Sequence, residues 1–351
     1  MLYAGTAAIV GQERARKQMA VLLDRQLQVA AGEHETASGS LVVGWTGSGK
    51  TMLARTMCKL SKLPFAEVNA TQFTEAGYAG LDLRQMYLPL IESAARVHDA
   101  REGHWEGGLY ERRDPEPRVL KRDSDSLKEI VELAQTGVIF LDEFDKWMHR
   151  QNHVTGRLDT AIQGDLLKMV EGSFEYVTDE EGEIGVPFDT SRVLIICAGA
   201  FVGLARHAAR RLDLSFDSAT QQHEFWDKIE PGDFVQYGLI PELAGRLSTH
   251  IFLRPLRVDH LAEIIRQPGG LIEEYRERFE AVDCEWRVSD AAISTIAAEA
   301  IERQTGARGI ENVCWKRFSE ALFEASVSKS PTSVTLEINA PRATVHAAVH
   351  A

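Results

Sequence analysis

The 351-residue chain carries 52 acidic against 39 basic side chains, for a formal net charge of -13, with 44% apolar and 26% charged residues. That length exceeds what one hydrophobic core normally supports, so a large and a small unit are expected, and the composition excludes a largely disordered chain. The acidic balance disfavours a nucleic-acid partner, and the scattered Cys58, Cys197, Cys284 and Cys314 predict neither a disulfide framework nor a zinc module.

In chain order, Ala15, Met19, Leu22 and Leu23 recur at helical spacing and predict an amphipathic helix over residues 12–30. Near-continuous apolar runs at 41–43, 65–68, 138–141 and 193–196 predict buried strands of a parallel sheet, with a fifth at 250–253. Helical patterns at 52–60 and 81–97 lie between them, which gives the alternation of an α/β sandwich. Residues 98–126 hold charges, Gly107, Gly108, Pro115 and Pro117 with little periodicity, so they predict an inserted loop or small subdomain. Beyond Pro255 the texture is helical, clearest at 291–302 and 310–325, followed by one strand at 334–338 and a frayed tail. The domain reading is a large nucleotide-binding unit over 1–254 with an insert at about 98–126, a small mainly helical unit over 255–340, and a tail over 341–351. No run reaches the roughly 18 apolar residues of a membrane span and no signal pattern opens the chain, so a cytoplasmic protein without a membrane partner is expected.

Two motifs carry chemistry. Gly44-Trp45-Thr46-Gly47-Ser48-Gly49-Lys50-Thr51 fits G-x-x-x-x-G-K-[ST] in full, between a predicted strand and a predicted helix. The glycines let successive backbone N–H groups turn inward to meet phosphate oxygens, and the helix N-terminus adds positive potential. Thr46, Gly47, Ser48, Gly49, Lys50 and Thr51 are therefore candidate ATP-binding residues, with Lys50 on the β and γ phosphates and the Thr51 hydroxyl on Mg²⁺. The second motif, Val138-Ile139-Phe140-Leu141-Asp142-Glu143, is an apolar strand delivering two carboxylates at its C-terminal end, the Walker B arrangement. Asp142 is expected to bind the nucleotide through hydrated Mg²⁺, and Glu143 to polarise the attacking water.

With these motifs placed, residues 9–338 resemble the ClpX and HslU branch of the AAA+ unfoldases. Ile9-Val10-Gly11-Gln12 looks like the branch's N-terminal segment, so the resemblance implies that Ile9 and Val10 flank the adenine. Asp142-Glu143-Phe144-Asp145-Lys146 is similar to its extended Walker B. The stretch 238–247 is similar to the one carrying the arginine finger, which assigns Arg246, and Gly306-Ala307-Arg308-Gly309 looks like the sensor 2 motif, which assigns Arg308. Gly77-Tyr78-Ala79-Gly80 resembles the first pore loop, an aromatic between glycines that grips substrate, and a second axial loop is expected within 152–159. The implied protein is an ATP- and Mg²⁺-dependent AAA+ ATPase with a parallel-sheet large domain and a helical small domain. It is expected to form a homo-hexameric ring that threads polypeptide.

Departures from the branch are visible. Trp45 stands where proline is usual, and residues 196–201 lack the amide or hydroxyl common at sensor 1. The cysteines of the ClpX N-terminal zinc module are missing, which leaves substrate delivery by an adaptor open. Where ClpX carries an aliphatic-glycine-phenylalanine anchor for its peptidase, the corresponding stretch here contains Leu214-Ser215-Phe216, and the last residues do not resemble the HslU tail. The expectation is no docking on a ClpP-type peptidase in the manner of ClpX, with a peptidase reached by another surface left open. Two other readings remain: an assembly switch or scaffold without threading, and a nucleic-acid motor similar to RuvB.

Overall fold

The computed structural model describes residues 2–37, 39–73, 82–102, 124–148, 156–178, 185–215, 219–303, 306–328, 332–337, 340 and 342–347. Packing divides the chain into two units. The first comprises Met1–Ala7, Arg14–Gly44 and Lys50–Leu253, and the second Ala8–Glu13, Trp45–Gly49 and Arg254–Ala351.

The first unit alternates helix and strand: α1 (Glu13–Ala30), β1 (Ser40–Gly44), α2 (Lys50–Ser61), β2 (Phe65–Asn69), α3 (Tyr87–Arg101), α4 (Ser124–Ala134), β3 (Val138–Asp142) and α5 (Gly156–Glu171). There follow β4 (Phe174–Thr178), β5 (Gly185–Asp189), β6 (Leu194–Gly199), α6 (Leu204–Arg211), α7 (Pro231–Tyr237), α8 (Pro241–Arg246) and β7 (Thr249–Leu253). Five strands form one parallel sheet in the order β2-β3-β6-β1-β7. Every residue of β1 and β6 is buried, the mark of central strands covered on both faces. Leu41, Val43, Ile139, Leu141, Ile195 and Cys197 lie in a core that also takes Leu90 and Ile91 of α3 and Ile130 of α4. The amphipathic pattern of α1 buries Ala15, Met19, Leu22 and Leu23 together with one amide, Gln26. That amide donates to the Thr136 and Arg192 carbonyls, both at 2.8 Å, and so fastens α1 to the turns that lead into β3 and β6.

Sequence periodicity misses the antiparallel hairpin β4–β5, whose outward face exposes Phe174 and Tyr176 while Val177, Val186 and Phe188 turn inward.

The second unit contains α9 (Val258–Arg266), α10 (Leu271–Glu280), β8 (Cys284–Val288), α11 (Asp290–Glu302), α12 (Arg308–Val327), β9 (Thr332–Leu336) and β10 (Thr344–Ala347). Its core gathers Leu261, Ile265, Phe279, Ile296, Val313 and Phe318, with Phe318 against Tyr275 at 5.2 Å and Trp286 at 5.3 Å between ring centroids. Two expectations are corrected here. The single expected strand is the centre of a three-stranded sheet, β10-β9-β8. The stretch expected to fray beyond residue 341 carries β10, which pairs antiparallel with β9 because Ala343 and Val345 pack on the core and Val345 lies opposite Val334. Cys284–Val288 alternates exposed residues with buried or half-buried ones over only five positions, too few to stand out from the helical patterns beside it.

Candidate functional site

The C-terminal edge of the parallel sheet is built by β1 and β3. β1 ends at Gly44, and after the intervening loop α2 begins at Lys50, so the lysine sits at a helix N-terminus. Its side chain is 8% exposed, and its Nζ donates to the Gly44 carbonyl at 2.6 Å. One residue on, the Thr51 hydroxyl donates to Asp142 Oδ2 at 3.2 Å. Asp142 is the last residue of β3, and its Oδ1 accepts from the Glu143 N–H at 2.9 Å. Glu143 itself takes a left-handed conformation, φ +57°, which costs a non-glycine residue about 1–2 kcal/mol. The left-handed turn ends the extended run of β3 at Asp142. Beyond it, a 3₁₀ turn (Phe144–Met148) buries Asp145, whose Oδ2 accepts from the Phe201 N–H at 3.3 Å and ties this turn to the segment after β6.

The loop between Gly44 and Lys50 belongs to the second unit. Gly47 and Gly49 have φ of +76° and +95°, conformations that L side chains avoid, and they flank Ser48. The Ser48 N–H donates to the Trp45 carbonyl at 3.1 Å, and the Gly47 carbonyl accepts from the Ala307 N–H at 3.3 Å. Gly306 backs the loop so closely that a Cβ there would lie 2.9 Å from the Gly47 oxygen. A cleft of about 90 Å³ opens beside it, lined by Trp45, the 46–48 segment, Pro255, Leu256, Ile301 and Gly306. Ile9 and Val10 are buried in the same unit but do not line this cleft.

Each unit, taken by itself, has features that suit part of a magnesium nucleotide. Two left-handed glycines bracket the buried Ser48 hydroxyl, which has no hydrogen-bond partner among the described residues. A hydroxyl and a carboxylate 3.2 Å apart fit Mg²⁺, which takes one or two protein oxygens and keeps several waters. Among the described residues no cluster of three His, Cys, Asp or Glu offers a competing metal cage.

Comparison with known proteins bears on the same segments. A family model described as AAA domain (Cdc48 subfamily) matches residues 36–250, and one described as the C-terminal, D2-small domain of ClpB protein matches residues 256–335. The ClpX ATP-binding subunit of the ATP-dependent Clp protease from Treponema denticola is 30% identical over 341 residues, covering 90% of this chain and 74% of that protein. Its counterpart in Bacteroides thetaiotaomicron is 31% identical over 353 residues, covering 94% and 77%. The chain belongs to the ClpX-like family of AAA+ ATPases. It is accordingly an ATPase, and ATP-driven protein remodelling is the activity typical of the ClpX-like family. No helix among the described residues is long and apolar enough to cross a membrane.

The remaining expected residues of this ClpX-like chain fall into three groups. Arg246 ends α8, exposed, and pairs with Glu171 of its own unit at 2.9 Å, a surface ion pair worth at most about 1 kcal/mol and readily exchanged. Arg308 opens α12 and is exposed. Gly77, Tyr78, Ala79 and Gly80, with Phe216 and most of 152–159, lie outside the described residues. One residue was missed as a site residue: Gln12, a buried amide hydrogen-bonded to the backbone of both Ser48 and Arg254. The signal for it was a lone polar side chain closing the apolar Ile9-Val10-Gly11 run.

Proposed function

We propose that this ATPase is a ring-forming motor that threads polypeptide, with hydrolysis carried by Lys50, Thr51, Asp142 and Glu143. The observation that supports the reading most is the 3.2 Å contact of Thr51 with Asp142, next to the left-handed turn at Glu143. Lys50, at the start of α2, would neutralise phosphate charge, and Thr51 and Asp142 would hold Mg²⁺. Glu143 accepts a proton from the attacking water. Bound ATP with Mg²⁺ supplies the γ-phosphoryl group whose transfer to water releases the free energy. Ile9 and Val10 shape the base end of the site, and Arg308 senses the nucleotide. Arg246 leaves Glu171 to stabilise charge across a subunit boundary, since guanidinium is permanently cationic and presents a planar fork of donors. Head-to-tail contacts that need such a finger close into a ring, here a homo-hexamer.

Threading is assigned to Tyr78 between Gly77 and Gly80, because a broad apolar ring grips any side chain while glycines let the loop move. The relatives' name includes a protease, so delivery to a peptidase is the natural extension of the same motor. The test is Tyr78→Ala in the full chain, with ATPase and unfolding of a tagged fluorescent client measured together. ATP turnover should stay within about threefold of wild type while unfolding falls at least tenfold. Unfolding at the wild-type rate would leave the assembly-switch reading in its place.

A further inference from the structure

The backbone of the phosphate loop is held from outside by groups that never approach phosphate. Gln12 is 3% exposed, and both amide hydrogens and the amide oxygen of its side chain are hydrogen-bonded. Nε2 donates to the Ser48 carbonyl at 3.2 Å and to the Arg254 carbonyl at 2.8 Å, while Oε1 accepts from the Arg254 N–H at 3.1 Å. Toward Arg254 the side chain acts as a neighbouring strand would, satisfying one donor and one acceptor of the same residue. With the remaining amide hydrogen it reaches the loop.

That last bond has a directional consequence. In a trans peptide the C=O and the following N–H point in opposite senses. Holding the Ser48 oxygen toward Gln12 therefore turns the Gly49 N–H away from Gln12. Since φ at Gly49 is +95° and nothing lies within 4 Å of where its Cβ would be, the peptide has room to rotate without this hold. The Gly47 oxygen is fixed in the same manner by the Ala307 N–H.

We infer that Gln12 is a positioning residue for nucleotide binding: its buried carboxamide fixes the Ser48–Gly49 peptide so that the loop presents its N–H groups to phosphate. The inference rests on the reading of residues 44–51 as the nucleotide loop. It gives Gln12 an effect on affinity rather than on the chemical step, because Thr51, Asp142 and Glu143 make their contacts without it.

The experiment compares wild type with Gln12→Met, which keeps length and approximate volume but cannot hydrogen-bond, and with Gln12→Asn, which keeps the amide one methylene too short. Affinity for a fluorescent ADP analogue, KM for ATP, kcat and thermal unfolding without nucleotide are measured on the full chain. Gln12→Met should weaken analogue binding and raise KM by about tenfold, with kcat per folded molecule within about threefold of wild type. Gln12→Asn should fall between the two. Should Gln12→Met not fold, the Gln12→Asn split between KM and kcat decides the matter alone. Analogue binding and KM within about twofold of a wild type that binds normally would overturn the positioning role. So would a loss of kcat equal to the loss of folded protein with KM unmoved. A wild-type chain that binds no nucleotide would instead overturn the reading of the loop, and this inference with it.

Discussion

At the edge of the parallel sheet where its strands begin, the buried amide of Gln26 donates to the Thr136 and Arg192 carbonyls, so these three groups satisfy one another within the chain. At the edge where the strands end, a lysine heads a helix, a hydroxyl meets a carboxylate, and Glu143 is held in a left-handed turn. The first arrangement is closed and serves only the fold. The second retains charge, strain and polar capacity, which are useful only when something arrives to meet them. The difference teaches that similar hydrogen-bonding chemistry in one sheet divides its work by edge, so stability and activity should respond separately to substitution.

The largest expected separation is at the C-terminal edge. Lys50→Ala should weaken nucleotide binding by about a hundredfold or more, since the phosphate charge loses its direct partner, whereas Glu143→Gln should retain binding and lower turnover by about the same factor. Titration with a fluorescent nucleotide beside steady-state ATPase measures both, and equal loss of binding in the two variants would break the division of labour. At the opposite edge, Gln26→Met should destabilise the fold by about 2–3 kcal/mol, because a buried and a part-buried carbonyl lose their donor. Its kcat and KM per folded molecule should match wild type. A changed KM in Gln26→Met would mean that the two edges are not independent.

The smallest effect concerns pH and sits on β7. Burial beside Phe234 and Phe252 pushes the His250 imidazole below its ordinary value of 6.5, and its Nε2 has no hydrogen-bond partner among the described residues. His207 is lowered in the same sense, by burial and then by Arg210. The unfolded chain takes up protons near pH 6.5 that the folded chain refuses, so this contribution is complete above about pH 7 and declines as pH falls through 6.5. His250→Phe should flatten the dependence of the unfolding midpoint between about pH 7 and 5.5. An unchanged slope would remove His250 from the account.

How much of this was legible in sequence depended on how far each signal ran. The three central strands of the large sheet stood out because parallel strands covered on both faces are apolar at nearly every position, and the two motifs at the ends of β1 and β3 combined pattern with context. The hairpin β4–β5 escaped because Phe174 and Tyr176 face outward and blur its alternation. β8 and β10 escaped because each is short, and β8 in addition pairs with a strand far along the chain. For Gln12 the residue type was visible, but its partners, Ser48 and Arg254, lie 36 and 242 positions away and no local pattern names them.

The contact between Gly306 and the Gly47 carbonyl has a mechanical side. Gly306 leads into α12, a helix of 20 residues, which at 1.5 Å per residue is about 30 Å long. Fastened at its N-terminal end through the Ala307 N–H, such a rod is a lever with a short arm at the loop and a long arm running to Val327. A tilt of about 6° at the fastening moves the far end by about 3 Å, roughly the separation of hydrogen-bonded atoms. Glycine at position 306 sets the fulcrum at a distance from the loop that a side chain would not allow.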